Sequence, residues 1–295
     1  MYLYGGIEAS GTRFACAVAE QPDEIIEKAS FPTTMPQETL MRSIEFFERF
    51  PLKALGIASF GPLDVNPSSP TYGYIMETPK PGWARTDLLG TLRRALNVPL
   101  ALDTDANAAA LAEYFYGAGR GADSLVYLTV GTGINCGVFV RGQFINHPEV
   151  GHMFIRRHPK DKFPGHCPYH ADCLEGMASG PALNGRWGTQ DQLAREHSAL
   201  EIEAYYLAQA VSTIRYLLAP KLVILGGGVM HWAQQALPVI RQEVLKLFNG
   251  YISNLRTLEA VERFVILPAL GDNAGICGAL ELGMRSFWST SNYGY

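Results

Sequence analysis

The stretches YLYGGIEASGTRFACAVA at residues 2–19 and LVYLTVGTGINCGVFVRG at residues 125–142 share one pattern. In each, an apolar strand leads into a tight turn containing glycine and threonine, and a second apolar strand follows. The two stretches are separated by roughly half the chain, which predicts two similar halves, each built on such a hairpin. Short glycine–threonine turns are common in proteins, so a chance repetition is the alternative.

Apolar runs and helical periodicity alternate along the rest of the chain, which favours an α/β fold over a helical bundle or a β-sandwich. Strands are predicted at 3–7, 15–19, 54–59, 125–130, 137–140, 222–225 and 264–267, and helices at 38–50, 87–96, 106–116, 202–217, 234–248 and 275–287. The glycine-rich stretch 117–122 has the composition of a joint. We therefore expect domains over 1–118 and 119–295, with the last helix able to pack back on the first domain.

The composition excludes several classes of protein. Hydrophobic residues make up 47% and charged residues 18% of the 295 residues, as in folded globular proteins. A net charge of −4 provides no basic surface for nucleic acid, so a phosphate ligand must be held locally by backbone amides. Five cysteines without a secretion signal or a bilayer-spanning run indicate reduced thiols in the cytoplasm and no membrane partner.

Four glycine-containing turns are candidates for phosphate binding, because glycine lets the backbone approach an anion closely and hydroxyls donate further hydrogen bonds. In open α/β sheets, ligands gather at the carboxyl ends of strands, so several such turns suggest a nucleotide site. Ordinary hairpin turns are the alternative. Neither a P-loop nor a GxGxxG motif is present. The turns contain Gly11 and Thr12, Thr132 and Gly133, Gly226 to Gly228, and residues 271–275.

Asp105 is the candidate catalytic base. It lies in LALDTDANAAA, residues 100–110, where an apolar strand leads into an alanine-rich helix. The helix dipole and free N–H groups are expected to keep a carboxylate there ionised and able to accept a proton, as phosphoryl transfer requires. An N-cap role is the alternative for one of the two aspartates. We assign Asp105 to chemistry and Asp103 to structure or to contacts with magnesium-bound water.

A cysteine- and histidine-rich segment follows in the second half. Cys167, His170 and Cys173 stand at three-residue spacing, and His152 is the expected fourth ligand of a structural Zn²⁺ ion. Proline and glycine in FPGHCPYH keep this loop irregular, so that a metal ion could organise it. Free cysteines with surface histidines, or a catalytic zinc, are the alternatives. Four protein ligands leave no open position for water, which favours the structural role.

The motifs GGIEASGTRF, LDTDANAAALAE, VGTGIN, EVGH, CPYHADCLEG and LGGGVM occur in this order along nearly the whole chain. Together they resemble the ROK family of sugar kinases, and within it the zinc-containing bacterial fructokinases. The resemblance implies an α/β fold of the actin-like ATPase (ribonuclease H-like) type, with two α/β domains around a cleft. It also implies Mg²⁺ and ATP as the phosphate donor, and a homodimer.

The resemblance further implies residue roles. Asp105 would be the general base that accepts the hydroxyl proton. Sugar contacts are implied for Thr104, Glu149, His152 and Glu175, with His152 serving both sugar and zinc through its two ring nitrogens. Nucleotide contacts are implied for Gly11, Thr12, Thr132, Gly133, Gly226, Gly227 and Gly228.

Three departures from the wider family bear on the substrate. Thr104 stands where many glucose and amino-sugar members have asparagine, and Glu8 replaces the more frequent aspartate of the first phosphate motif. CPYHADC replaces the commoner three-cysteine zinc loop and resembles the fructokinase branch. The expected reaction is therefore phosphorylation of D-fructose to fructose 6-phosphate.

Other functions within the same family are the alternatives. A kinase for glucose, mannose or an N-acetylhexosamine is one, and a non-enzymatic sugar-responsive regulator is another. Repressors of this family carry an N-terminal DNA-binding extension, whereas the first phosphate motif here begins within ten residues of Met1. A helix-turn-helix is therefore not expected.

Overall fold

The computed structural model describes residues 2–78, 80–145, 148–188 and 197–291. The chain forms two compact units. Unit 1 comprises Met1–Gly117 together with Asp272–Tyr295, and unit 2 comprises Ala118–Gly271. The prediction allows the last helix to pack back on the first domain, and in the structure residues 272–295 belong to unit 1, where this helix packs on the first sheet.

Unit 1 is built on a five-stranded sheet with the order β3-β2-β1-β4-β7. β2 is antiparallel to both β1 and β3, while β1, β4 and β7 run parallel. The carboxyl ends of three strands therefore share one edge of the sheet. The strands of unit 1, including a separate small hairpin of β5 and β6, are β1 (Leu3–Ala9), β2 (Arg13–Ala19), β3 (Ile25–Pro32), β4 (Leu52–Ser59), β5 (Tyr74–Ile75), β6 (Thr86–Asp87) and β7 (Leu100–Thr104).

The helices described in unit 1 are α1 (Pro36–Phe47), α2 (Leu88–Leu96), α3 (Asp105–Tyr116) and α9 (Ala274–Ser291). Glycines allow α9 to approach its neighbours closely. A Cβ atom on Gly56 of β4 would lie 1.8 Å from the carbonyl oxygen of Ala279, and one on Gly278 would lie 1.9 Å from that of Ala108 in α3. This backbone-to-backbone packing joins the last helix to the sheet and to the helix that begins with Asp105.

Unit 2 repeats the same topology. Its sheet has the order β10-β9-β8-β11-β12, with β9 antiparallel to β8 and β10, and with β8, β11 and β12 parallel. The prediction of two similar halves, each built on a hairpin, is therefore confirmed. The strands are β8 (Ser124–Val130), β9 (Ile134–Val140), β10 (Gln143–Phe144), β11 (Leu222–Gly226) and β12 (Val265–Ile266).

The helices described in unit 2 are α4 (Leu174–Ala178), α5 (Gly180–Trp187), α6 (His197–Leu218), α7 (Ala233–Phe248) and α8 (Leu258–Phe264). Short 3₁₀ helices occur at Val150–His152, Gly228–Trp232 and Gly271–Asn273. One continuous apolar core lies beneath the unit 2 sheet and includes buried side chains of α6 and α7. Unit 1 has two apolar clusters, one that includes Ile7, Phe14 and Trp83 and one formed by small residues of the sheet together with Ile276 and Leu280 of α9.

Most predicted elements are present with shifted ends, and the misses have physical reasons. β3 is absent from the prediction because it is an edge strand whose residues alternate between intermediate and exposed, so that it lacks an apolar run. The strand predicted at 264–267 is shorter, since α8 continues to Phe264. No helix among the described residues is both long and apolar enough to span a membrane.

Candidate active site

Asp105 is the first residue of α3 and directly follows β7. Thr104 caps the helix, since its hydroxyl accepts a hydrogen bond from the Asn107 backbone N–H at 3.2 Å. Asp103 accepts hydrogen bonds from the Thr104 N–H at 2.7 Å and from the Asn107 side-chain amide at 2.9 Å. An aspartate N-cap is therefore wrong, because the capping residue is Thr104. Thr104 is buried, and its expected contact with the sugar stays a prediction.

The charge state of Asp105 differs from the expectation drawn from the helix terminus. Burial raises the pKa of Asp105, a hydrogen bond from the Ala106 N–H opposes this, and the nearby Glu8 carboxylate adds to it, so that the pKa is about 7. Desolvation thus has a larger effect on the pKa of Asp105 than the helix N-terminus has. The residue as a whole is partly accessible to solvent. A base with a pKa near neutrality is well matched to proton transfer at physiological pH.

The first predicted phosphate turn lies at the same sheet edge as Asp105. Ala9 is opposite Ser59 in the parallel register, and Ser59 is opposite Thr104, so the turn after β1 and the start of α3 are both at carboxyl ends of strands. The Ser10 hydroxyl donates to the Arg13 carbonyl at 2.9 Å and closes this turn. Gly11 has open space where a side chain would stand, and Thr12 is exposed, so both can face a ligand.

Glu8 adds a second carboxyl group at this edge. Burial raises its pKa, an effect that the charges of Arg13 and Lys28 oppose, and its Oε2 atom has no hydrogen-bond partner. The Arg13 guanidinium is 4.0 Å from this oxygen. A carboxylate oxygen that lies beside a phosphate turn and accepts no hydrogen bond is the kind of ligand that Mg²⁺ prefers. The residues present therefore fit the magnesium ion of Mg-ATP.

The second predicted phosphate turn, Gly131–Thr132–Gly133, connects β8 and β9. The Gly131 N–H donates to the Gly133 carbonyl at 2.8 Å, which closes a tight loop. Outside the loop, the Gly180 N–H at the start of α5 donates to the Gly131 carbonyl at 2.7 Å. The Thr132 side chain is exposed. Backbone hydrogen bonds therefore hold the turn, while Thr132 stays accessible.

The Gly226–Gly228 turn is adjacent to the second phosphate turn. β11 pairs with β8 so that Gly226 is opposite Thr129, and Gly227 has a φ of +93° with its missing Cβ position 2.4 Å from the Val130 carbonyl oxygen. Only glycine combines that backbone conformation with so close an approach. Gly228 has open space beyond its Cα. Two of the predicted nucleotide-binding turns thus meet at one edge of the unit 2 sheet.

Two of the residues expected to bind the sugar, Glu149 and Glu175, lie on either side of the cysteine- and histidine-rich loop in the sequence. Glu149 is exposed and precedes the 3₁₀ helix that contains His152, while Glu175 is half-buried in α4. The Glu175 Oε2 atom accepts a hydrogen bond from the Ile134 N–H at 2.9 Å. Gly151 of the EVGH motif packs closely against the backbone of β9, since a Cβ there would lie 2.1 Å from the Ile134 carbonyl oxygen. These contacts place Glu175 and the EVGH motif on the hairpin.

His152, Cys167, His170 and Cys173 form a compact group whose ligand atoms all lie within 4.8 Å of one another. The His152 Nδ1 atom is 3.8 Å from the Cys167 Sγ atom and 3.7 Å from the Cys173 Sγ atom, while the His170 Nδ1 atom is 3.9 Å from the Cys167 Sγ atom. Around a tetrahedral zinc ion, sulfur and nitrogen ligands stand about 3.6 Å apart. The four residues therefore fit a Zn²⁺ ion. Both cysteines are buried and unoxidised.

Comparison with known protein families shows which family this chain belongs to. The model of the ROK family matches residues 4–285. The chain belongs to the ROK family. As a ROK protein, it is 41% identical over 297 residues to the fructokinase of Zymomonas mobilis subsp. mobilis (strain ATCC 31821 / ZM4 / CP4), with 96% of this chain and 97% of that protein covered. It is also 42% identical over 286 residues to the fructokinase of Lactococcus lactis subsp. cremoris, with 95% and 94% covered.

A solved structure shares the fold of this ROK protein. The ROK hexokinase from Thermus thermophilus superimposes with a TM-score of 0.74 at 27% identity, covering 97% of this chain and 99% of that one. The expected actin-like ATPase fold is therefore confirmed. The repeated five-stranded sheets of units 1 and 2 agree with it.

The sequence of this ROK protein did not indicate two features of the site. Gly275 leaves room for Glu8, since a Cβ there would lie 2.4 Å from the Glu8 Oε1 atom. Ile134 offers its N–H to Glu175, which follows it by 41 residues. A backbone donor and a missing side chain carry no chemical signature in a sequence. The motifs GDNAG and CLEG could have located the neighbourhood but not the contact.

Proposed function

We propose that this ROK protein is an ATP-dependent fructokinase that converts D-fructose and ATP to fructose 6-phosphate and ADP. Identity above 40% to two proteins named fructokinase, over nearly the full length of each chain, supports the substrate. The observation that carries the activity is the position of Asp105, which lies with the Gly11–Thr12 turn at the carboxyl ends of parallel strands and has a pKa near neutrality.

Asp105 acts as the general base. As the sugar hydroxyl oxygen forms a bond to the γ-phosphorus atom of ATP, the bond from that phosphorus to the bridging oxygen breaks and ADP leaves. The hydroxyl proton passes to the Asp105 carboxylate and then to solvent. Magnesium bound with ATP neutralises charge on the phosphates. The Glu8 carboxylate is the group of this chain that would hold the ion.

The remaining site residues bind and orient the substrates. Thr104, Glu149, His152 and Glu175 are assigned to sugar hydroxyls. The nucleotide is assigned to Gly11 and Thr12 in unit 1 and to Thr132, Gly133 and Gly226 to Gly228 in unit 2. Exposed turns with backbone N–H groups are suited to phosphate oxygens in a protein without net positive charge.

Zinc is the proposed structural metal of His152, Cys167, His170 and Cys173. It would hold an irregular loop that has little regular structure of its own, and it would fix His152 through Nδ1 while leaving Nε2 for a sugar hydroxyl. We also propose a homodimer that acts in the cytoplasm. The free state of all five cysteines supports a reducing compartment.

The test is a coupled assay of ADP release with fructose, mannose, glucose and N-acetylmannosamine, each at several concentrations with saturating Mg-ATP. Fructose is expected to give the highest kcat/KM. A higher value for another sugar would replace fructose as the substrate, and no turnover of any of the four would contradict the kinase assignment.

Asp105→Asn serves as the matched control, since it keeps the size of the side chain and removes the base. Turnover of fructose should fall by at least about a hundredfold, as expected for loss of general base catalysis, with ATP affinity nearly unchanged. Near-normal turnover in this variant would remove Asp105 from the mechanism and would point to a contaminating kinase or a different base.

A further inference from the structure

The α4–α5 junction contacts the second phosphate turn at two points. The Glu175 Oε2 atom accepts the Ile134 N–H at 2.9 Å immediately after the turn, and the Gly180 N–H donates to the Gly131 carbonyl at 2.7 Å at its start. The Ser179 N–H in turn donates to the Glu175 carbonyl at 3.1 Å, so that the two contact points belong to one rigid stretch of backbone. The turn is thus held at both of its ends by the same segment.

The fit of the Glu175 carboxylate against the turn depends on missing side chains. A Cβ on Gly133 would lie 2.7 Å from the Glu175 Oε2 atom, and a Cβ on Gly151 would lie 3.4 Å from it. The carboxylate is also half-buried. A hydrogen bond from a backbone amide to a charged acceptor in such a place is stronger than one between neutral groups.

Glu149 provides the contrast. Both glutamates are assigned to the sugar, yet Glu149 is exposed and makes no hydrogen bond to the turn in the part of the chain that the structure describes. Of the two glutamates assigned to the sugar, both among the described residues, Glu175 therefore contacts the second phosphate turn and Glu149 does not.

We propose that Glu175 is a positioning residue for the nucleotide in addition to its contact with the sugar. Its Oε2 atom fixes the Ile134 N–H and with it the shape of the Gly131–Gly133 turn, and its Oε1 atom is the one that meets the sugar hydroxyl. The inference rests on the proposed kinase function. It assigns to one carboxylate a direct structural link between the two substrate sites of unit 2.

The test measures binding of the non-hydrolysable ATP analogue AMPPNP with magnesium to the full-length protein by calorimetry in the absence of sugar. Glu175→Ala should weaken AMPPNP binding about tenfold, the loss expected for one hydrogen bond to a charged group. Glu175→Gln should lose less affinity than Glu175→Ala, because its carbonyl oxygen can accept the same N–H, although without the charge. Glu149→Ala is the matched control and should stay within about twofold of the wild type.

Amide hydrogen exchange gives a readout that does not depend on activity. The Ile134 N–H should exchange faster in Glu175→Ala than in the wild type. In Glu175→Gln its exchange rate should return toward that of the wild type. Retained zinc content shows that each variant is folded. Wild-type nucleotide affinity in Glu175→Ala, or an equal loss in Glu149→Ala, would overturn the inference. A wild-type protein that binds no AMPPNP would overturn the kinase assignment together with it.

Discussion

At the scale of single residues, the chemistry depends on how much water each carboxyl group loses. Asp105 begins a helix, which by itself lowers the pKa of a carboxylate, yet burial and the Glu8 charge raise its pKa to about 7. The result is a carboxyl group that is partly protonated at neutral pH. A stronger hydrogen-bond environment would make Asp105 more ionised but a weaker proton acceptor.

The raised pKa of Asp105 predicts the pH dependence of the reaction. Since the base must be ionised, kcat/KM for fructose should rise with pH, with a midpoint near 7, and should fall about tenfold per pH unit well below it. The measurement is the pH–rate profile at saturating Mg-ATP. The residual activity of Asp105→Asn should lack this limb. A midpoint near the ordinary aspartate value in the wild type would show that Asp105 is not desolvated in the working enzyme.

The same pKa predicts a change of stability. A folded-state pKa above the ordinary aspartate value means that the folded protein binds the proton more tightly than the unfolded chain does. The contribution of Asp105 to stability is therefore present below about pH 4 and is lost as the pH rises through about 7. Asp105→Asn should raise the Tm relative to wild type at pH 8 and less so at pH 5, as measured by thermal unfolding. An equal difference at both pH values would contradict the assigned pKa.

At the scale of elements, the sheet edge where Asp105 lies depends on the packing of α9. It packs against β4 through Gly56 and against α3 through Gly278, with no room for a methyl group at either position. Close packing of this kind transmits any displacement of α9 to the helix that begins with Asp105. The glycines are therefore as necessary to the site as its polar residues.

Gly56→Ala tests this packing. Its Cβ atom would lie 1.8 Å from the Ala279 carbonyl oxygen, a backbone atom that cannot yield without moving the helix. We expect a loss of about 3 kcal/mol in the free energy of unfolding, measured by urea denaturation. Gly185→Ala in α5 is the control, since its methyl would meet only the Phe163 ring at 3.1 Å, and alanine favours a helix. A loss in the control equal to that in Gly56→Ala would show that the effect is not specific to α9.

At the scale of the whole molecule, the two units use the same strand order for different purposes. Unit 1 contains Thr104, Asp105 and the Gly11–Thr12 turn, whereas unit 2 contains Glu149, Glu175, the cysteine and histidine cluster and the other glycine turns. The cluster joins the EVGH motif to the start of α4, because His152 belongs to the first and Cys173 to the second. A bound metal ion would therefore act on two parts of unit 2 that are separate in sequence.

Removal of the metal tests this role. The purified protein should contain about one zinc ion per chain, and a chelator that removes it should lower the Tm and raise the KM for fructose, since His152 and Glu175 lose their support. Cys167→Ser should bind zinc poorly, whereas Cys16→Ala, at a buried cysteine outside the cluster, should keep it. Metal-free protein with the Tm and KM of the wild type would contradict the proposed zinc site.

Local pattern was enough to predict much of the molecule. Glycine–threonine turns between apolar runs predicted the two hairpins, the spacing from Cys167 to Cys173 predicted a metal loop, and the strand–helix junction predicted where Asp105 stands. These features follow from the residue types themselves, because turn conformation, strand formation and metal ligation each depend on a few neighbouring residues. The family resemblance rests on the same short motifs.

Three features depended on tertiary structure. The pKa of Asp105 is a sum over all the protein atoms that displace water from it, the Glu175 contact to Ile134 joins residues 41 apart, and α9 belongs with unit 1 because of close glycine packing. Desolvation, long-range backbone contacts and backbone proximity are properties of the folded arrangement. The sequence by itself determined which groups could do the chemistry, and the fold decided their protonation and their partners.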